Sequence, residues 1–122
     1  MSRIKIVKPS LTFDEISPRL EKIINSGIYS NGTNLTEFSS EISKLTKAKY
    51  CFPTSSATTA LWTCLKILKI REGDEVLVSD FSYPATVNVI EDLGAKPIFV
   101  DVSLEDFNMK PEELEKKISP NA

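Results

Sequence analysis

From Lys49 onward the chain alternates between short runs suited to strands and longer stretches with helical periodicity, and few folds accommodate that alternation. Tyr50-Cys51-Phe52, Glu75-Val76-Leu77-Val78 and Pro97-Ile98-Phe99-Val100-Asp101-Val102 read as buried strands. Between the first two, Ser56 to Lys69 places Ala57, Ala60, Leu61, Cys64, Leu65 and Leu68 on one helical face; Glu72-Gly73-Asp74 makes the turn into the next strand. Pro84 to Leu93 reads as a second helix ended by Gly94, although Thr86, Val87 and Val89 are β-branched and poor helix formers. A last helix begins near Pro111 and carries Leu114 and Ile118. Strand, helix, strand, helix, strand at this spacing requires right-handed crossovers and a mainly parallel sheet between helical layers, a three-layer α/β/α arrangement.

Ahead of this region, an extended basic arm runs to Pro9. Thr12 and Glu15 have the spacing of a capping box, and Ser17-Pro18 offers a second helix start. Leu20, Ile23 and Ile24 give that helix its apolar face and Gly27 its stop; Ile28 to Thr33 is then a polar loop. A second helix follows, with Leu35, Phe38, Ile42 and Leu45 on one side. At 122 residues the chain is read as one domain or part of one.

Composition removes several functions. The net charge is −2 with acids and bases interspersed, so no basic stripe invites nucleic acid or an anionic membrane. No apolar run spans a bilayer and the start lacks a signal-peptide core, which gives a cytoplasmic expectation. Cys51 and Cys64 are expected as reduced core residues rather than a disulfide or a metal site. There is no histidine, which eliminates Ser–His and Cys–His nucleophile pairs and the common zinc ligand sets within these residues. No metal site is expected.

Two loops carry the chemistry, because ligands of parallel sheets collect at the carboxyl ends of the strands. In Ser55-Ser56-Ala57-Thr58-Thr59-Ala60-Leu61, small hydroxyl residues stand where an extended segment gives way to a helix. The first helical turn leaves backbone N–H groups unpaired at the positive end of the helix dipole, and small side chains let a phosphate approach them. The same residues are also the preferred N-caps of any helix, and that is their commoner use. In the second loop, Ser79-Asp80-Phe81-Ser82-Tyr83, the ring of Tyr83 could lie against a flat ligand or pack beneath the following helix. A phosphate site beside a flat aromatic ring suits a nucleotide, a flavin or pyridoxal phosphate.

In order and spacing the sequence resembles the N-terminal third of the DegT/DnrJ/EryC1/StrS aminotransferases, which use pyridoxal phosphate to aminate keto-sugars attached to nucleotides. The resemblance runs from Ser26-Gly27-Ile28-Tyr29-Ser30-Asn31-Gly32 through the Phe38 helix and the Ser56–Leu61 run. It continues through Gly73-Asp74-Glu75-Val76, Phe81-Ser82-Tyr83 and Ala85-Thr86 to Gly94–Val102, and closes on Ile118-Ser119-Pro120. It implies the N-terminal portion of an aspartate-aminotransferase-like (fold type I) large domain, with residues 1–122 forming a single partial domain. It further implies that Ala57, Thr58 and Thr59 line the cofactor phosphate, chiefly through backbone N–H groups, and that Tyr83 stacks on the pyridine ring. Tyr29, Ser30 and Asn31 correspond to a segment near the sugar nucleotide. A nucleotide-sugar substrate, an amino donor such as glutamate, a homodimer and a place in amino-sugar or surface-polysaccharide biosynthesis follow from the same resemblance. Ala57 stands where the family more often has Gly, Ser79 where Pro is frequent and Ala48 where Gly is frequent; none of these removes a reacting group.

Amino transfer also needs a lysine that carries the cofactor and a carboxylate on its pyridine nitrogen. In the family both lie beyond the segment matched here, and Lys96, Lys110, Lys116 and Lys117 do not fall at that lysine's position, so no catalytic residue is assigned. The chain is therefore expected to be an N-terminal fragment of such an aminotransferase, inactive alone. The other readings are a stand-alone phosphate- or nucleotide-binding module and a non-catalytic partner of a complete aminotransferase.

Overall fold

The computed structural model describes residues 8–122, which separate into two compact units, one up to Pro53 and the other Thr54–Ala122. Most of the basic arm expected before Pro9 lies outside the described residues.

The first unit holds two helices, α1 (Phe13–Ser26) and α2 (Thr33–Thr46). Of the two candidate starts, the chain uses the earlier. The Thr12 backbone N–H and hydroxyl both donate to Glu15 Oε2, at 2.7 and 2.8 Å. These bonds hold the Glu15 carboxyl below its ordinary pKa, the backbone bond contributing most and the hydroxyl next. Ser17-Pro18 starts nothing: Pro18 is the sixth residue of α1, past the first turn, so the helix forgoes the bond an N–H there would make to the Asp14 carbonyl. Gly27 ends α1 at φ 67, donating to the Ile24 carbonyl at 3.2 Å. The connecting loop contains Asn31 at φ 54, and α2 ends at Lys47 with φ 58.

The second unit runs α3 (Ala57–Ile67), β1 (Glu75–Ser79), α4 (Ala85–Asp92), β2 (Lys96–Val100) and α5 (Pro111–Lys117). Strands β1 and β2 pair in parallel, with Glu75 opposite Lys96 and Ser79 opposite Val100. Helix α4 is the crossover between them, and it forms despite its β-branched residues because Ile90 joins the core with Val78 of β1 and Val89 is also buried. Gly94, at φ 76, turns the chain back into β2. The core is Val78, Ile90 and Ala95, with Leu65, Ile70, Val76 and Val87 packed against it; Val89 and Val100 are also buried. Helix α3 packs on α4, and α5 on β2.

Two expectations are corrected. Tyr50-Cys51-Phe52 is not a strand but irregular chain, with Tyr50 and Phe52 exposed. A strand exists only through its ladder, and Tyr50-Cys51-Phe52 pairs with neither β1 nor β2, which form a two-stranded sheet among the described residues. The cysteines are not core: Cys64 is exposed and Cys51 half-buried, neither in a disulfide. Cys64 and Leu68 continue the apolar face of α3 past what two strands can cover, so only Leu65 of that face reaches the core.

Candidate functional site

The start of α3 is built by its own hydroxyls. Ser56 is extended (φ −160, ψ 162), and its Oγ accepts the Thr59 N–H at 3.1 Å. The Thr59 hydroxyl lies 3.0 Å from Ser56 Oγ and 3.3 Å from Ser55 Oγ, while Thr54 Oγ1 donates to the Ser56 carbonyl at 2.9 Å. The two meanings of this run therefore coexist. Ser56 caps the helix, and the cap consumes the N–H of Thr59. The N–H groups of Ala57 and Thr58 meet no acceptor among the described residues. Two adjacent donors at the positive end of an eleven-residue helix, with no acidic side chain in its first turn, present the chemistry an anion requires.

A cavity of about 350 Å³ opens beside this turn, between α3 and α4, lined by Thr58, Thr59, Trp62, Asn88, Val89 and Asp92. Across it the Trp62 indole N–H donates to Asp92 Oδ2 at 2.7 Å, and Lys66 Nζ stands 5.7 Å from the centre of the Trp62 ring. The sequence reading missed Trp62, Asn88 and Asp92. Their signal was present as Thr58–Trp62 and Asn88–Asp92, each four residues apart on one helical face, but only the packing of α3 on α4 makes them one wall.

Tyr83 lies in the loop after the carboxyl end of β1, in the same unit as the α3 turn. Tyr83 is 78% exposed rather than packed beneath α4, so its ring is available. The loop is tied at both ends: the Asp80 N–H donates to the Val100 carbonyl at 3.1 Å, and the Thr86 N–H to the Tyr83 carbonyl at 3.0 Å. Between them Ser79 Oγ accepts the Phe81 N–H at 3.2 Å, and the Ser82 hydroxyl donates to Thr86 Oγ1 at 3.1 Å. Tyr29, Ser30 and Asn31 belong to the other unit, in the loop joining α1 and α2, with the Tyr29 hydroxyl donating to the Ile24 carbonyl at 3.4 Å.

The four lysines considered above are engaged elsewhere. Lys96 pairs with Glu75 at 3.0 Å, Lys110 with Asp101 at 2.9 Å and Lys116 with Glu113 at 2.8 Å, while Lys117 donates to the Phe99 carbonyl. Glu75 is held below its usual pKa by the Ser119 hydroxyl and then by Lys96; Asp101 by Lys110 and then by the Val102 N–H. Among the described residues, no three His, Cys, Asp or Glu side chains gather as metal ligands, and no helix is long and apolar enough to cross a membrane.

A sequence model of the DegT/DnrJ/EryC1/StrS aminotransferase family matches residues 12–122. The chain belongs to this family. A UDP-2-acetamido-2-deoxy-3-oxo-D-glucuronate aminotransferase of Pseudomonas aeruginosa is 34% identical over 88% of the chain and 30% of its own length. A GDP-perosamine synthase of Escherichia coli is 36% identical over 98% of the chain and 33% of its own length. The PLP form of a Streptococcus pneumoniae protein described as a sugar aminotransferase superposes with a TM-score of 0.88 and 31% identity, over 98% of this chain and 30% of that one. The DegT-family chain thus spans about a third of the length of the curated relatives it matches. Its α/β fold, with two parallel strands among the described residues, is the N-terminal portion of an aspartate-aminotransferase-like, fold type I domain.

Proposed function

We propose that these residues supply the phosphate-binding helix terminus and the aromatic loop of a pyridoxal-phosphate-dependent aminotransferase acting on nucleotide-linked keto-sugars, in amino-sugar or surface-polysaccharide biosynthesis. In this reading residues 1–122 together form the N-terminal part of the cofactor-binding domain. The observation that carries it is the unpaired pair of N–H groups on Ala57 and Thr58, within the segment that the family match covers.

The residues present fit the cofactor's phosphate. Ala57 and Thr58 offer backbone donors, and Ser56 fixes the turn by occupying the third. With Ala57 in place of glycine, the added methyl leaves both donors open. The exposed ring of Tyr83 supplies a stacking face for the pyridine. When bound, the cofactor supplies an electron sink that stabilises negative charge on the amino carbon. The chain's own contribution is to bind and orient: the Ala57 and Thr58 N–H groups would hold the phosphate, and Tyr83 would offer its face to the pyridine ring. Proton transfer is assigned to none of the residues here. Tyr29, Ser30 and Asn31 are proposed to face the nucleotide sugar, with an amino donor such as glutamate as co-substrate and a homodimer as the working assembly.

Titrating the 122-residue chain with pyridoxal phosphate while following Trp62 fluorescence tests the reading. Trp62 lines the cavity beside Thr58 and Thr59, so cofactor at this turn quenches it, and inorganic phosphate competes. Absence of quenching at millimolar cofactor would refute the site. Amino transfer by this polypeptide alone would refute the restriction of its role to binding.

A further inference from the structure

The loops following β1 and β2 meet through two aromatic rings. Phe81 follows β1 and Phe107 follows β2; their ring centres lie 5.4 Å apart with the planes at 36°. Both rings are more than half exposed, at 66% and 55%, so hydrophobic burial alone does not account for the pairing. Phe107 holds a left-handed backbone, φ 59, which bulky residues rarely adopt. Such a conformation persists only where the surroundings over-determine it.

Here they do. The Ser103 N–H donates to the Asn108 carbonyl at 2.9 Å and the Phe107 N–H to the Ser103 carbonyl at 3.0 Å. Asp106 accepts from the Asn108 backbone and side chain at 3.1 and 2.9 Å. Beneath them Val102 bridges Met109, and Lys110 pairs with Asp101 at 2.9 Å. The loop is a stiff clip, and what it presents is the Phe107 ring.

The ring it meets belongs to the loop that carries Tyr83. Residues 81–83 are held by the hydroxyl turn at Ser79, by the Ser82–Thr86 hydroxyl bond and by the bonds at either end of their loop, and Tyr83 stands only two residues beyond Phe81. We propose that Phe107 is a positioning residue for Tyr83, acting through Phe81: the clip after β2 sets the height and tilt of the loop that carries the stacking ring. The proposal rests on the assignment of Tyr83 as that ring, but its mechanical half stands apart from any ligand.

Amide hydrogen exchange on the full chain and on F107A, F107G and F107Y tests it. The Phe81 and Thr86 amides of F107A and F107G are expected to exchange about two- to tenfold faster, the range for losing one aromatic pair, with α3 amides unchanged and F107Y near the parent. F107G separates ring from backbone: it relieves the left-handed strain, so parent-like behaviour would place the effect in the backbone and overturn the proposal. Unchanged exchange in F107A, or equal acceleration in α3, would overturn it too. In the binding arm, F107A lowers affinity for pyridoxal phosphate by the same factor while affinity for inorganic phosphate is kept; equal loss of both contradicts a role confined to the ring. A parent chain that takes no pyridoxal phosphate refutes the cofactor reading, while the exchange result still decides the role of Phe107.

Discussion

Replacing Ala57 by proline removes one of the two free donors at the start of α3 and little else. Ala57 is the first residue of the helix, the position where proline is best tolerated, since the N–H it lacks has no intrahelical partner. The preceding residue, Ser56, already has φ −160 and ψ 162, the extended region a following proline imposes. The cap from Ser56 Oγ to the Thr59 N–H at 3.1 Å is untouched. The fold should therefore keep its melting temperature or gain slightly, since proline also restricts the unfolded chain. Binding should fall sharply. A hydrogen bond to a charged group contributes about 1.5–3 kcal/mol, which is roughly ten- to 150-fold in affinity. The solvent-exposed turn favours the lower end. Fluorescence titration with pyridoxal phosphate and with inorganic phosphate reads this directly, and both ligands should lose the same factor because both use the same donor. Ser56→Ala is the contrasting variant: it removes the cap, costs about 1 kcal/mol of stability and leaves the Ala57 and Thr58 donors in place. Unchanged phosphate affinity in A57P at unchanged stability would refute the anion-binding argument.

Other outcomes follow from the packing and electrostatics of each unit. Ile90 is 2% exposed at the centre of the core, so Ile90→Ala should cost about 2–5 kcal/mol in chemical denaturation of the chain; a loss below about 1 kcal/mol would mean that the Val78–Ile90–Ala95 cluster is not the core. Gly94→Ala should cost about 1–2 kcal/mol in the same denaturation measurement, because φ is 76 there, a left-handed backbone that a Cβ strains. The bonds from Thr12 depress the pKa of Glu15 in the folded state, so their stabilisation is fully present above the free value of 4.5 and is lost as pH falls through the lowered value. Circular dichroism followed as the pH falls below 4.5 should show the parent losing helix relative to its neutral-pH signal, while Glu15→Gln, already without the ionised partner, changes less over that range; parallel curves would dismiss the capping box as a pH-sensitive element.

The run from α3 to β2 could be read from the sequence because each element satisfied its own period and two of its three connections carried a glycine, Gly73 and Gly94. Gly94 ends α4 with the left-handed φ that glycine tolerates. The anion turn was legible for a similar reason, since Ser56 and the small residues after it act locally. What escaped depended on partners distant in sequence. Tyr50-Cys51-Phe52 has the composition of a strand, but among the described residues no strand pairs with it. Pro18 looked like a helix start until the competing Thr12–Glu15 box claimed the first turn. Trp62, Asn88 and Asp92 form one cavity wall only because α3 and α4 pack together, and no spacing within either helix encodes that meeting. The pairing of Phe81 with Phe107 likewise joins two loops separated by an entire helix and strand.

The central claim is that the first turn of α3 takes the cofactor's phosphate through two backbone donors. Backbone amide resonances of the labelled chain, followed as pyridoxal phosphate and then inorganic phosphate are added, test it most directly. The account predicts that the amides of Ala57 and Thr58 move first and furthest with either ligand, that Thr59 moves less because Ser56 already holds its N–H, and that Tyr83 responds to pyridoxal phosphate alone. Resonances of Ala57 and Thr58 that stay in place while others shift, or that do not respond at saturating ligand, would contradict it.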